Sequence, residues 1–177
     1  MKTQFLNKNL SQSEMQMIAM AINEGIDFFE YDDVLYTGMS QDKFDAKEEA
    51  LLADPDYENR EEVDARLAAW IDENLCGQLD DEFTVSSYDE NIIEYAGGEY
   101  LVVDESTAND LWEAELDNYL EECVYPELSG NLAQYFDDEK WKRDARIDGR
   151  GHSLAGYDGN ESNVKVDGTE FCIFRIN

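Results

Sequence analysis

Residues 92–104 read IIEYAGGEYLVVD, and this stretch decides the fold class. Ile92–Tyr95 and Tyr100–Val103 are short runs rich in β-branched and aromatic residues, which favour strands. Gly97-Gly98 lies between them and predicts a hairpin turn. The chain therefore contains an antiparallel hairpin, with a further strand predicted just before it at Phe83–Ser87.

A second hairpin is predicted near the end of the sequence. Asn163–Val166 and Glu170–Ile176 have strand character, and Asp167-Gly168 separates them as a turn. The stretches around Gly97-Gly98 and Gly168-Thr169 look alike. They are either copies of one duplicated β-unit that pair or pack together, or two hairpins that share only glycine turns and apolar strands.

About five helices surround these hairpins. The first has a capping box, Ser11 with Glu14, and ends at Gly25. The others are predicted over 40–53, 59–75, from Asp104 or Thr107 to before Pro126, and over 131–147. Helices segregated from hairpins indicate an α+β fold, with about five helices and two β-hairpins forming a small antiparallel sheet. We expect a helical N-terminal region over 1–80 and an α+β C-terminal region over 81–177, or one continuous domain.

The charge of the chain limits the kinds of molecule that can bind it. Its 177 residues carry a formal net charge of −30, and the 73 residues Leu67–Glu139 contain 21 Asp or Glu and no Lys or Arg. The same span holds enough aromatic and β-branched residues to fold, unlike a disordered acidic tail. Such a surface argues against direct binding to nucleic acid or to an anionic membrane, and favours a basic protein, a cation or a high-salt habitat.

The chain reads as cytoplasmic. Cys76, Cys123 and Cys172 are widely spaced and form no C-x-x-C pair, which is typical of reduced thiols. No signal peptide opens the sequence, and no apolar run reaches the roughly 18 residues that a membrane span needs.

The helix after Asp104 carries a row of acidic residues. Helical projection places Asp110, Glu113, Asp117 and Glu121 in one narrow stripe, with neighbouring carboxylates about 5–6 Å apart. The predicted buried face consists of Trp112, Leu116, Tyr119, Leu120 and Cys123. The row is either a surface that imitates the phosphates of DNA or a solvated face that keeps the protein soluble.

The helix predicted over 59–75 repeats this pattern away from its apolar side. Its acidic residues and those just before it are Glu58, Glu61, Glu62, Asp72 and Glu73. We assign Glu61, Glu62, Asp72 and Glu73 to the partner-binding surface, after the four residues of the acidic row.

Basic residues are concentrated in one segment. Five of the 13 in the chain are Lys140, Lys142, Arg143, Arg146 and Arg150. They either neutralise acidic groups within the protein or provide a small contact for nucleic acid or phosphate.

The stretch Asp148–Glu161, DGRGHSLAGYDGNE, is the best candidate for a second site. It contains the sole His, and its candidate residues are Arg150, His152, Tyr157 and Asp158. His152 could act as a general base or a metal ligand. No metal is assigned, because the EF-hand pattern fails, and no P-loop or zinc-protease motif is present. The alternative is a structured turn that packs His152 and Tyr157 against the terminal hairpin.

Two resemblances bear on the setting. Residues 98–110 (GEYLVVDESTAND), the DGRGH…YDG stretch and the ending Phe171–Asn177 resemble a group of small, uncharacterised acidic proteins of phages and prophages. This resemblance covers roughly residues 85–177. It implies that the protein is encoded by a phage and acts in the host cell cytoplasm. It implies no catalytic residues.

The stretch 132–144 resembles plasmid-borne antirestriction DNA-mimic proteins. The shared positions are Tyr135-Phe136-Asp137, Glu139 and Arg143-Asp144. That family implies a monomer or dimer that occupies the DNA groove of a restriction enzyme.

The sequence thus predicts a non-enzymatic, acidic DNA-mimic inhibitor of a host nucleic-acid-binding defence complex. It would act by stoichiometric binding to a basic groove, as a monomer or homodimer, without a cofactor and without binding DNA directly. One alternative is a small ligand- or metal-dependent enzyme or binding domain built on Asp148–Glu161. Another is a structural or regulatory phage protein whose charge serves solubility.

Overall fold

The computed structural model describes residues 10–57, 59–128 and 130–177. Glu58, one of the acidic residues predicted beside the helix over 59–75, lies outside the described residues. The chain divides into two compact units between Thr84 and Val85, a few residues beyond the boundary expected at 80/81. The first unit combines helices with a hairpin, and the second is built on a five-stranded sheet.

The first unit begins with a capped helix. Its elements are α1 (Gln12–Glu24), β1 (Phe28–Tyr31), β2 (Val34–Thr37), α2 (Gln41–Leu52), α3 (Arg60–Glu73) and α4 (Leu79–Glu82). The capping box of Ser11 and Glu14 is present, and Gly25 ends α1 in the left-handed conformation, as predicted. Asn59 caps α3 by accepting a hydrogen bond from the backbone N–H of Glu62. Local sequence signals therefore determine where these helices begin and end.

An apolar core joins β1 to α2 and α3 in this unit. The rings of Phe29 and Phe44 stack with centroids 4.6 Å apart. Around them lie the buried residues Met39, Leu51, Val63, Leu67 and Ile71. The segment 26–38, predicted as a short strand or loop, forms an antiparallel hairpin, because Asp32 and Asp33 adopt the positive φ angles that its tight turn requires.

The second unit contains the main sheet. Its strands are β3 (Thr84–Val85), which spans the boundary, β4 (Ile92–Tyr95), β5 (Gly98–Asp104), β6 (Ser162–Val166) and β7 (Thr169–Arg175), in the order β3-β4-β5-β7-β6. Between β5 and β6 come α5 (Glu105–Tyr119), α6 (Asp138–Ala145) and α7 (Arg150–Leu154), with π- and 3-10-helical turns between α5 and α6 and a 3-10 turn after α6. The buried residues Val103, Ala108, Ala155, Cys172 and Phe174 form one core cluster of this unit.

The two hairpins are equivalent and pair through their second strands. Their turns are Ala96-Gly97 and Asp167-Gly168, each with two positive φ angles, and their second strands are seven residues long. β5 and β7 pair so that Val102 lies opposite Ile173, and these two residues occupy the same position in the two repeats. A local two-fold axis therefore passes between them, which fits both alternatives, since two unrelated hairpins paired in this register have the same symmetry.

The α+β class is confirmed, but its layout differs from the prediction. The described residues contain seven α-helices rather than about five, and the β1–β2 hairpin adds a separate two-stranded sheet. Ala96-Gly97, not Gly97-Gly98, forms the first turn, because Gly98 already pairs with Tyr95. No helix in the described part of the chain is long and apolar enough to span a membrane.

Candidate functional site

The acidic row begins on α5, whose N-cap is Asp104. Asp110, Glu113 and Asp117 lie on α5, and Glu121 lies in the π-helical turn Leu120–Val124 that follows it. The Asp104 carboxylate accepts hydrogen bonds from the backbone N–H groups of Ser106 and Thr107 and from the Thr107 hydroxyl. These bonds, led by the Thr107 N–H, lower the pKa of Asp104. Of the row itself, Asp110, Asp117 and Glu121 are exposed and Glu113 is half-buried.

Helix α6 places two basic side chains against the middle of the row. Arg146 donates from Nε and Nη2 to Glu113, with distances of 2.6 to 2.9 Å. Lys142, whose side chain is only 10% exposed, pairs with Asp117, and its Nζ lies 3.9 Å from Glu113. The Asp117 hydrogen bond raises the pKa of Lys142, so it stays charged. Lys142 and Arg146, two of the five clustered basic residues, thus neutralise the middle of the acidic row.

The predicted buried face of α5 is only partly correct. Leu116 and Leu120 are buried, but Tyr119 is 52% exposed and Cys123 is exposed. After Tyr119 the α-helix gives way to a π-helical turn, Leu120–Val124, which shifts the following side chains away from the period of 3.6 residues. Tyr119 instead stacks on Trp141 of α6, with ring centroids 5.6 Å apart.

The acidic residues of α3 belong to the first unit and form a separate group. Glu61 and Glu62 lie in the first turn, where negative charge suits the helix dipole, and Asp72 and Glu73 lie near the end, where it does not. Arg66 donates to both carboxylate oxygens of Glu73 at 3.0 and 3.1 Å, which lowers the pKa of Glu73. Glu61, Glu62, Asp72 and Glu73 are all exposed.

Arg150 joins the two ends of the Asp148–Glu161 stretch by forming an ion pair with Glu161. The Arg150 guanidinium donates to both oxygens of Glu161, at 3.1 and 2.5 Å, and to the side-chain oxygen of Asn109 on α5 at 3.0 Å. The two charged side chains are 15% and 17% exposed. The Cys172 thiol lies beside them, and burial raises its pKa from 9.0 to about 11. The stretch contains the short helix α7, which is not among the helices predicted from the sequence.

Glycine is required where the two ends of this loop meet. A Cβ built on Gly151 would lie 2.5 Å from the carbonyl oxygen of Gly159 and 2.9 Å from the carbonyl carbon of Asn160. Both neighbours are backbone, which cannot rotate away as a side chain can. The second glycine of DGRGH therefore has a packing role.

The other candidate residues of the loop differ in their surroundings. Tyr157 stacks over the guanidinium of Arg175, 3.8 Å from the ring centroid, so it does pack against the terminal hairpin. Asp158 accepts a hydrogen bond from the backbone N–H of Asn160 and holds a turn. His152 is exposed, whereas the structured-turn alternative predicted that it packs against the terminal hairpin. Its neighbour Ser153 accepts a hydrogen bond from the Trp112 indole.

Concave surface is found in the first unit. Two clefts have volumes of about 300 and 320 Å³ and share Tyr31 in their walls. Asp72 lines one of them, and Arg150, His152, Tyr157 and Asp158 line neither. Within the described residues no group of His, Cys, Asp and Glu side chains is arranged to hold a metal ion.

Sequence reasoning missed the partners of the acidic row. Lys142 and Arg146 are four residues apart, as are Asp117 and Glu113, and the pairs match in reverse order. That matched spacing was the available signal for two antiparallel helices joined by ion pairs. Glu161 and Asn109, the partners of Arg150, lie 11 and 41 residues from it and gave no comparable signal.

Comparison with known proteins adds no family to this description. No protein-family model, no curated protein and no solved structure matches the chain. The function is therefore argued from its own residues.

Proposed function

We propose that this protein is an acidic DNA mimic, encoded by a phage or another mobile element, that inhibits a host restriction or CRISPR complex. It binds the basic nucleic-acid groove of that complex stoichiometrically, as a monomer or homodimer. The proposal assigns no catalysis and no cofactor to it.

The observation that carries the proposal is the state of the acidic row. Asp110 and Glu121 are exposed at its two ends, and within the described chain neither forms an ion pair with a basic residue. Between them, Arg146 and Lys142 hold Glu113 and Asp117 in place. Anions that a helix already holds in position lose little conformational freedom when they bind a cationic groove. Their binding also gains free energy from the release of counterions, as the binding of DNA does.

The neutralised middle changes which residues are expected to matter most. Because Glu113 and Asp117 already face cations of α6, their charge toward a partner is reduced. We therefore place the main electrostatic contribution at Asp110 and Glu121. The exposed α3 residues Glu61, Glu62 and Asp72 form a second contact, whereas the charge of Glu73 is already reduced by Arg66.

The loop alternative is less favoured by its contacts. Arg150 is engaged by Glu161 and Asn109, Tyr157 by Arg175, and Asp158 by the backbone of Asn160. These contacts support a structural role for the loop. Loss of a measured activity on His152→Ala, with the fold preserved, would reverse this preference.

The test is displacement of labelled duplex DNA from a purified restriction enzyme and from a purified RNA-guided nuclease complex. We expect one-to-one displacement that weakens as NaCl is raised. The double variant Asp110→Lys/Glu121→Lys should weaken displacement by tenfold or more. Its matched control is Glu49→Lys/Glu94→Lys, which reverses two exposed acids elsewhere and gives the same net charge of −26, since each reversal adds two to −30.

The comparison of the two double variants decides the proposal. If both weaken displacement equally, total charge rather than the acidic row is responsible. If neither does, or if wild-type protein displaces DNA from neither complex, the DNA-mimic proposal is wrong.

A further inference from the structure

Aromatic rings lie beside the acidic row in the second unit. Tyr119 stacks on Trp141, and Tyr125 meets the edge of Phe136 with centroids 6.2 Å apart. Tyr125 also donates a hydrogen bond to Asp138, and this bond raises the pKa of Tyr125. The negative charges of Asp117 and Glu121 raise it further. We call this group, together with Leu132 and Tyr135, the aromatic–acidic surface.

Much of this surface is exposed apolar area. Tyr135 is 79% exposed, Leu132 58% and Tyr119 52%. Of the described side chains from 120 to 137, only Leu120 is buried, so this segment contributes little to the core. Leu132 and Tyr135 lie three residues apart on one 3-10 helix, where such side chains eclipse each other, and contiguous exposed apolar area marks interaction sites more often than isolated groups do.

The charge around the rings specifies the partner. From Asp110 to Glu139 the chain has ten acidic residues and no Lys or Arg. A partner must therefore be basic, and it must also offer groups that pack against rings. Tyrosine and tryptophan are enriched among the residues that dominate binding energy at protein interfaces.

We infer that the nucleic acid imitated by this surface is single-stranded, and that the partner is a protein site that binds a single strand. This inference rests on the proposed function and names the class of its target. In a duplex the base faces are stacked inside, and proteins meet phosphates and base edges. Sites for single strands combine a cationic groove with side chains that stack on exposed base faces.

The aromatic–acidic surface presents both features. The carboxylates of Asp110, Glu113 and Asp117 stand in for phosphates, since their spacings of three and four residues on α5 place neighbours about 5–6 Å apart. The ring of Tyr135 and the face of the Tyr119 ring that Trp141 does not cover stand in for bases whose faces are open. A duplex mimic would need the carboxylates alone.

The experiment uses two purified probes with the full-length chain. One is a bacterial single-stranded-DNA-binding protein with labelled oligo(dT), and the other is a histone-like duplex-binding protein with a short labelled duplex. We expect the wild-type chain to displace oligo(dT) at a lower concentration than it displaces the duplex. Tyr119→Ala/Tyr135→Ala should weaken displacement of oligo(dT) about tenfold, because each stacked ring contributes to affinity.

Three further variants separate stacking from charge. Tyr135→Phe keeps the ring and should retain wild-type displacement. Tyr88→Ala removes a Tyr that is 67% exposed and hydrogen-bonded to Glu99, and should have no effect. The salt dependence of displacement should keep its slope in Tyr119→Ala/Tyr135→Ala and become shallower in Glu121→Lys, since the slope reports ionic contacts.

Each result supports or overturns the inference. Equal or better displacement of the duplex, or no effect of removing the two rings, overturns the single-strand assignment and leaves the DNA-mimic function intact. Displacement of neither labelled DNA overturns the single-strand assignment, and the displacement assay with the restriction enzyme and the RNA-guided nuclease complex then decides the proposed function separately. Displacement of oligo(dT) that requires the rings, with an unchanged salt slope, supports both.

Discussion

The guanidinium of Arg146, the residue directly after α6, bridges both carboxylate oxygens of Glu113 on α5, with Nη2 2.6 and 2.7 Å from Oε1 and Oε2. One turn away, Lys142 pairs with Asp117. The two ion pairs join a helix that is capped by Asp104 to one that is capped by Asp137. They turn a predicted row of four like charges into two compensated carboxylates, Glu113 and Asp117, flanked by two bare ones, Asp110 and Glu121.

Replacing Arg146 tests how much its ion pair with Glu113 contributes to the free energy of unfolding. Arg146→Ala should lower the free energy of unfolding by about 1 kcal/mol or less, because the pair is partly exposed and screened by water. Urea unfolding followed by tryptophan fluorescence measures it. Arg143→Ala is the control, since that side chain is 70% exposed and reaches only Asp144 at 4.0 Å. Equal losses in the two variants would mean that the Glu113 pair adds no stability.

The Arg150–Glu161 pair should behave differently, because both side chains are largely buried. Arg150→Met leaves the Glu161 carboxylate without its partner and should cost about 3 kcal/mol. Arg150→Met/Glu161→Leu removes both charges and should recover at least half of that loss. Urea unfolding of both variants checks this. A double variant less stable than the single one would show that the loop depends on the ion pair itself.

Gly151→Ala should be among the most damaging small substitutions in the second unit. The added methyl meets the backbone at Gly159 and Asn160, so we expect a loss of about 2 kcal/mol or more. Gly156→Ala is the control, because its Cβ would lie 3.4 Å from the nearest atom, the carbonyl oxygen of Ile176. Comparing the two midpoints of thermal unfolding tests this prediction, and similar midpoints would contradict it.

Cys172 should make stability depend on alkaline pH. Its folded pKa of about 11 exceeds the ordinary value of 9.0, so the folded state retains a proton that the unfolded state has lost. The contribution is fully present below pH 9 and disappears as the pH rises toward 11. Unfolding free energies across this range should fall more steeply for the wild type than for Cys172→Ala. Parallel curves would contradict the assignment.

Thiol labelling checks the same site independently. At pH 8 the exposed Cys123 should react with a thiol reagent in the folded protein, whereas the buried Cys172 should react only after urea is added. Cys123→Ser supplies the control, since it should remove the fast reaction. Fast labelling that persists in this variant would show that Cys76 or Cys172 is accessible.

Local chemistry explains which parts of the fold were predictable. Ser11, Glu14, Gly25 and the Asp167-Gly168 turn act on their immediate neighbours, and each signal led to the correct element. The π-helical turn after Tyr119 was not predictable from a period of 3.6 residues, since it interrupts that period. Helix α7 was missed because glycines lower helix propensity, whereas here Arg150 and its distant partners hold the turn.

The candidate site shows the same limit. The stripe of Asp110, Glu113, Asp117 and Glu121 followed from helical geometry, but the compensation of its middle depended on α6. Charge counts along the chain cannot distinguish a bare carboxylate from a paired one when the partner is 25 or more residues away. The distinction matters, because it moves the expected contribution to binding toward Asp110 and Glu121.

The pairing of the two equivalent hairpins has a consequence for how the second unit is made. Strand β7 joins the hairpins, and it is synthesised after every other element of that unit. While a ribosome is still adding residues before 169, β5 has an open edge and the sheet lacks its central contact. The unit must therefore assemble late and over long sequence separations, and its nascent edge is the part that most needs a chaperone or rapid completion.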